Sequence, residues 1–247
     1  MPRTIRKTSN SGLYHIMLRG INHQQIFEDI EDNEKYLEVI RDCKVVSGYK
    51  LYAYSLMGNH IHLLLKEENE GIEQIFKRIG ARYVYWYNRK YKRSGHLFQD
   101  RFKSEPVEDN EYFLTVMRYI HQNPVVANLC DSIEEYRWSS YNEYKGLCKN
   151  VDPDFVFSMM SLDEFVKFNN AYNDDSCLEN NAKRYWYSDD EAKEIMKSLC
   201  GCETVAAFQN FSPHDRNVYI KMLKEKRLSI RQISRLTGVS RGIVERK

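Results

Sequence analysis

Two β-rich runs, Tyr49 to Leu56 and His60 to Lys66, stand on either side of the pair Gly58-Asn59. A turn pair between two such runs predicts a β-hairpin. That hairpin constrains the whole chain, because successive strand residues point to opposite faces and both faces then need a partner. Around it, Leu13 to Arg19 predicts a strand broken by Gly20 and Asn22. Asp32 to Ser47 predicts a helix, with Tyr36, Leu37 and Ile40 at helical spacing and Gly48 as its stop. Gly71 to Arg93 predicts a long helix with Ile72, Ile75, Ile79 and Tyr83 on one face. Phe102 to Val107 predicts a further strand, and Asp109 to Gln122 a helix capped by Asp109. This last helix is expected to end before Asn123-Pro124, since a residue preceding proline disfavours the helical region.

The order strand, helix, strand, strand, helix, strand is that of a ferredoxin-like fold, with one helix appended. The expected class is α+β: an antiparallel sheet with helices on one face, followed by a small all-α domain. Three regions are expected: residues 1–148 as the α+β domain, 149–182 as a connector, and 183–247 as a helical domain. The connector is read from its acidic, Asn-rich composition, in which Lys167 is the only base between Asp152 and Glu179, with a helix near Leu162 to Phe168.

Two segments carry chemistry. In Met57-Gly58-Asn59-His60-Ile61-His62-Leu63-Leu64-Leu65, the histidines are two apart on a strand and project together, while Ile61 points into the core. Two neutral imidazoles side by side can grip a divalent metal and leave room for a substrate oxygen. A His-x-His pair can also be a mere accident of alternation. In Met117-Arg118-Tyr119-Ile120-His121-Gln122-Asn123-Pro124, Tyr119 and Asn123 are one turn apart and share a helix face. His121 lies about 200 degrees round from Tyr119 and cannot share it. This geometry nominates Tyr119 as a nucleophile and Asn123 as a third metal ligand. A helical tyrosine is usually only core or surface, so the second segment gains its meaning from the first.

Together these segments resemble the single-tyrosine HUH transposases, and among them the REP-associated tyrosine transposases. Gly58-Asn59-His60-Ile61-His62 and Arg118-Tyr119-Ile120-His121-Gln122-Asn123-Pro124-Val125 carry the resemblance. Gly95-His96-Leu97-Phe98-Gln99-Asp100-Arg101-Phe102 and Arg137-Trp138-Ser139-Ser140-Tyr141 extend it, so it spans about Leu13 to Tyr144. The resemblance implies Mg2+ or Mn2+, single-stranded DNA that folds into hairpins, and a 5′-phosphotyrosine link that leaves a free 3′-hydroxyl. It assigns the metal pair to His60 and His62, the nucleophile to Tyr119, and the polar third ligand to Asn123. Relatives occur as monomers or homodimers. The C-terminal region lies outside the resemblance, since typical insertion-sequence members are shorter.

Charge distribution agrees with a nucleic-acid partner. The net charge is only +2, but Lys77 to Lys103 contains nine Lys or Arg against one acid, Asp100. Arg78, Arg82, Arg89, Lys90, Lys92 and Arg93 interleave with Tyr83, Tyr85, Trp86, Tyr87 and Tyr91. Cations hold phosphates and aromatic faces stack on unpaired bases. Tyr83 and Trp86 or Tyr87 are the expected core members. Arg101 and Lys103 are expected beside the scissile phosphate. Near the end, Leu228 to Val244 reads as a helix-turn-helix: Ser229 caps the first helix, Gly238 turns the chain, and Ser240 caps the second. Arg231, Ser240 and Arg241 are its candidate DNA contacts. A plain helical hairpin has the same pattern.

No apolar run approaches the roughly 20 residues a membrane helix needs. The start of the chain has no signal-peptide pattern, and the six cysteines match neither a zinc nor a disulfide framework. The expected location is a reducing cytoplasm. Two other functions fit the same residues: a non-catalytic, sequence-specific DNA-binding regulator derived from a transposase, and a phosphodiesterase that hydrolyses with water.

Overall fold

The structure is a computed structural model that describes residues 6–173, 177–178, 189–202, 204–226, 228 and 230–246, apart from the side chains of 189–191 and 231. It divides into two compact units, Met1–Asn180 and Asn181–Lys247.

In the first unit, strands β1 (Leu13–Arg19), β2 (Lys50–Met57), β3 (His60–Lys66) and β4 (Lys103–Pro106) form one sheet in the order β2-β3-β1-β4. Every neighbouring pair is antiparallel. The hairpin turns at Gly58-Asn59 and pairs Met57 with His60. Helix α1 (Ile30–Ser47) joins β1 to β2, and α2 (Ile72–Lys90) joins β3 to β4. This is the ferredoxin-like α+β arrangement expected from the element order. Right-handed crossovers set both helices on the same face of the sheet, and α1 and α2 pack against each other there.

Helix α1 begins two residues earlier than its hydrophobic spacing implies. Asp29 accepts from the Asp32 backbone N–H while the Asp32 side chain accepts from the Asp29 N–H, a reciprocal cap that fixes the start. Its stop at Gly48 is as expected: the residue sits at φ +70°, where glycine alone is unstrained.

Helix α3 (Asn110–Val126) covers the other face. Asp109 caps it by accepting from the Tyr112 N–H at 2.7 Å, and Phe113 meets the Tyr52 ring at 5.2 Å. The helix does not end before Pro124; it runs through that residue to Val126. Proline removes one N–H from the ladder, but Pro124 is buried in the core of the unit, and apolar burial outweighs the weak pre-proline preference. Asn128, at φ +55°, then turns the chain away. With both faces covered, nearly every residue of β1, β2 and β3 is buried.

The stretch from Val151 to Asn170, read from composition as part of a connector, belongs to the first unit. Short helices α4 (Tyr141–Tyr144) and α5 (Asp154–Phe157) precede α6 (Leu162–Asn170). Val156 and Phe165 are fully buried, and Phe165 stacks on Tyr144 at 4.6 Å. Surface acids set the composition of this stretch, while a few apolar side chains at helical spacing anchor it.

The second unit holds α7 (Asp189–Cys200), α8 (Val205–Gln209), α9 (Pro213–Glu225), α10 (Ile230–Thr237) and α11 (Arg241–Arg246). Phe208, Ile220, Leu223, Ile233 and Val244 form its core. Between α10 and α11 the chain turns at Gly238, at φ +70°, where an added Cβ would lie 2.6 Å from Val205 Cγ1. Ser229, the expected cap of α10, and the Arg231 side chain lie outside the described residues.

Candidate active site

Cross-strand register assembles the site. His62 pairs with Met17 of β1 and Ser55 of β2, and His60 pairs with Arg19 and Met57. Directly opposed residues share a sheet face, so one surface carries His60, His62, Met17 and Arg19. The next row adds His15, paired with Leu64 and with Glu105 of β4. Lys103 pairs with Met17 and joins the same face from the edge strand. Two glycines hold the hairpin tip in place. The Gly20 N–H donates to Asn59 at 2.9 Å, and Gly58 O accepts from the Ile26 and Phe27 N–H groups. A Cβ on Gly20 would stand 2.2 Å from the Gln24 carbonyl oxygen, so only glycine fits there.

Helix α3 lays Tyr119 on this surface. Its ring is 5.7 Å from His62 and 5.8 Å from His15, edge-on to both. His60 and His62 are 5.1 Å apart, with near-perpendicular rings. Tyr119 is half-buried, whereas His15 and His62 are fully buried. Because α3 continues through Pro124, Asn123 stays one regular turn beyond Tyr119, also half-buried.

Burial keeps His15 and His62 neutral. It pushes His15 down to about 3. It holds His62 well below the usual range, helped by the nearby His60, His15 and Arg19. Neutral rings are the form that ligates metals. His60 Nδ1 lies 2.7 Å from Asn59 Oδ1, an acceptor, so Nδ1 carries a proton and Nε2 is the nitrogen left for a metal. His62 Nδ1 lies 3.0 Å from His15 Nε2, which leaves Nε2 as the nitrogen it can present to a metal. The donor chemistry therefore fits a divalent cation held by two imidazoles and an amide oxygen. Among the described residues, no group of three or more His, Cys, Asp and Glu is placed to hold a metal. A small cavity of about 100 Å³ is lined not by the pair itself but by its cross-strand partners Met17 and Arg19, with His23, Gln99, Phe102 and Lys103 among others. The larger one, about 1910 Å³, runs between α2 and β4 and contains neither His60 nor His62 in its lining.

His121 is a fold residue. It is fully buried, 2.7 Å from Asn169 Oδ1 and 2.8 Å from Ser140 Oγ, and burial lowers it to about 4. The basic helix is narrower than its sequence suggests. Arg78 pairs with Glu70 and the Ser47 hydroxyl. Lys90 is ringed by Asp29, Glu31 and Asp32. Both are tied to the fold by these ion pairs. Arg82, Arg89 and Lys92 are exposed; Arg93 donates to the His96 carbonyl and lies over the Tyr87 ring. Arg101 is exposed, 3.7 Å from Glu73. Tyr83 and Tyr87 are core, as expected, while Tyr85 is 70% exposed. Ser240 and Arg241 are exposed at the start of α11. Two residues of the site, His15 and Arg19, escape a reading of motifs. Their signal is alternation along Leu13–Arg19, which becomes informative only once β1 is known to neighbour β3.

Residues 8–123 match the family model described as transposase IS200 like. These residues are an IS200-like transposase domain. The domain contains His60, His62, Tyr119 and Asn123. Its fold is shared with a REP-associated tyrosine transposase solved bound to a REP hairpin, at a TM-score of 0.54 and 13% identity, over 71% of this chain and 94% of that one. A putative transposase from Deinococcus radiodurans aligns at a TM-score of 0.35 and 18% identity, over 49% of this chain and 97% of that one. No curated protein sequence matches the chain. No helix among the described residues is long and apolar enough to cross a membrane.

Proposed function

We propose that this transposase cuts and rejoins single-stranded, hairpin-forming DNA through a covalent link to Tyr119, with Mg2+ or Mn2+ held by His60, His62 and Asn123. One observation carries the proposal: the only half-exposed phenol of the α3 sequence motif rests against the ring of His62, from an element 57 residues downstream. A hairpin substrate is consistent with the REP hairpin bound by the transposase of similar fold.

The Tyr119 phenol releases its proton as its oxygen attacks the scissile phosphorus, the bond to the 3′ oxygen breaks, and the 5′ end stays on the protein as a phosphotyrosine. The 3′ oxygen takes up a proton and leaves as a hydroxyl. One diester replaces another, so rejoining needs no ATP. A bound divalent cation would polarise the phosphate and steady charge on the leaving oxygen. The chain's own part is placement: α3 aims the phenol, β3 presents the imidazoles, and Arg19 and Lys103 offer cations to the phosphate. Tyr85 and the exposed Arg82, Arg89 and Lys92 suit unpaired bases and backbone further along the strand. The second unit, with Ser240 and Arg241 at the head of α11, is proposed to grip duplex or hairpin stem as a helix-turn-helix.

Replacing Tyr119 by Phe tests the chemistry. With a hairpin oligonucleotide and Mn2+, the native chain should yield a protein–DNA adduct on a denaturing gel, and Y119F neither adduct nor cleavage. Cleavage that persists in Y119F would instead indicate hydrolysis by water. No cleavage by either protein would favour a DNA-binding regulator.

A further inference from the structure

Resting on the metal pair proposed above, we infer that His15, with Glu105 behind it, is a positioning residue that fixes the tautomer and ring angle of His62. A neutral imidazole has one N–H and one lone pair. His15 Nε2 and His62 Nδ1 face each other at 3.0 Å, so one of the two donates. If His15 donated, the His62 proton would sit on Nε2 and that nitrogen could not ligate. If His62 donates, its Nε2 carries the lone pair.

The far side of His15 decides between these states. Its Nδ1 makes no hydrogen bond and lies 3.9 Å from Glu105 Oε2, on the strand residue directly opposite. A carboxylate favours an N–H pointed toward it, which puts the His15 proton on Nδ1 and makes Nε2 the acceptor. Glu105 is itself placed: Oε2 accepts from the Leu178 N–H at 3.0 Å, and Tyr112 hydrogen-bonds to the carboxylate. The chain of groups therefore runs from Glu105 through His15 to His62, the carboxylate–histidine support that metal-ligating imidazoles commonly have, here extended by a second ring. The same His15 ring lies edge-on to Tyr119 at 5.8 Å, so one side chain steadies both ligand and nucleophile. A residue present only to fill the core would gain nothing from a second imidazole at this position.

Two measurements test this. In the metal-free, 15N-labelled protein, long-range proton–nitrogen correlation reads histidine tautomers directly. His15 and His62 should both carry their proton on Nδ1, and a His62 protonated on Nε2 would overturn the relay. Mn2+ affinity, followed by electron paramagnetic resonance, should fall roughly 10–100-fold in H15F. H15Q, whose amide oxygen can accept from His62, should recover most of it. Unchanged Mn2+ affinity in a folded H15F, or no recovery in H15Q, overturns the proposal; if H15F does not fold, H15Q and the tautomers decide. H62A guards the premise. Loss of Mn2+ binding in H62A but not in H15F sinks the relay alone, whereas retention in H62A sinks the metal pair itself.

Discussion

Asn123 is the residue of the motif whose role depends most on backbone geometry. It shares a face with Tyr119 only if α3 stays helical up to and past Pro124, as it does. An amide oxygen is a weaker ligand than an imidazole or a carboxylate, and its short arm leaves little adjustment. N123A should therefore weaken Mn2+ binding by about tenfold, a smaller effect than H62A, in keeping with a single polar group near a metal. Adduct formation should fall in step and recover at high Mn2+. If titration gives native Mn2+ affinity in N123A, the metal is held by the histidines and substrate alone. His60, His62, Tyr119 and Asn123 can be nominated from the sequence because spacing along one strand and one helix is local information. His15 was not, since its meaning comes from a pairing with His62 across 47 positions. The roles of Arg78 and Lys90 were hidden for the same reason: their carboxylate partners on Glu70 and Asp29 to Asp32 lie in other elements or turns.

At the scale of elements, α3 is fastened from behind. His121 is hydrogen-bonded to Ser140 and to Asn169 of α6, and Gln122 donates to the Asn169 carbonyl at 2.6 Å. This buried network fixes the rotation of the helix that aims Tyr119, and it makes stability depend on pH. An unfolded imidazole titrates near ~6.5, while burial lowers folded His121 to about 4. Between these values the unfolded chain binds the extra proton. The contribution is thus complete above the unfolded pKa and is lost as pH falls toward the folded one. The loss amounts to roughly 2 kcal/mol at pH 5 for one such group, and His15 and His62 act in the same direction. Urea unfolding of the native chain should show a clear fall in stability from pH 7 to pH 5. In H121F the fall should be smaller, even though stability at pH 7 drops by about 1–3 kcal/mol because Ser140 and Asn169 lose a partner. An equal acid loss in both proteins would mean that His121 does not titrate as its burial dictates. The strands, and the start of β3 in particular, were readable because β-rich runs and a turn pair are strong local signals. The end of α3 was misread, because the pre-proline rule is a local preference and Pro124 is held by tertiary burial.

The whole molecule separates chemistry from the region that composition left ambiguous. Acidic surface residues disguise α5 and α6 as a connector, yet Val156 and Phe165 are fully buried in the first unit. Burying side chains of this size is worth about 1.5–3 kcal/mol each, and α6 also supplies the partner of His121. A chain ended at residue 148 should therefore lose its cooperative melt, whereas one ended at residue 180 should keep it, as circular dichroism would show. The second truncation also tests the division of labour. Residues 8–123 contain the transposase domain with its four motif residues, so the chain ended at 180 should still nick a short single-stranded oligonucleotide containing the cleavage site. Without the second unit, its affinity for a long hairpin stem should drop at least tenfold, and the salt dependence of binding should flatten by about 0.9 in log–log slope for each phosphate contact removed from duplex. If the folded, truncated chain binds stems as the full chain does, the C-terminal helices serve something other than DNA. If it loses nicking as well, the second unit takes part in the cleavage reaction, and the site built on β3 and α3 does not act alone.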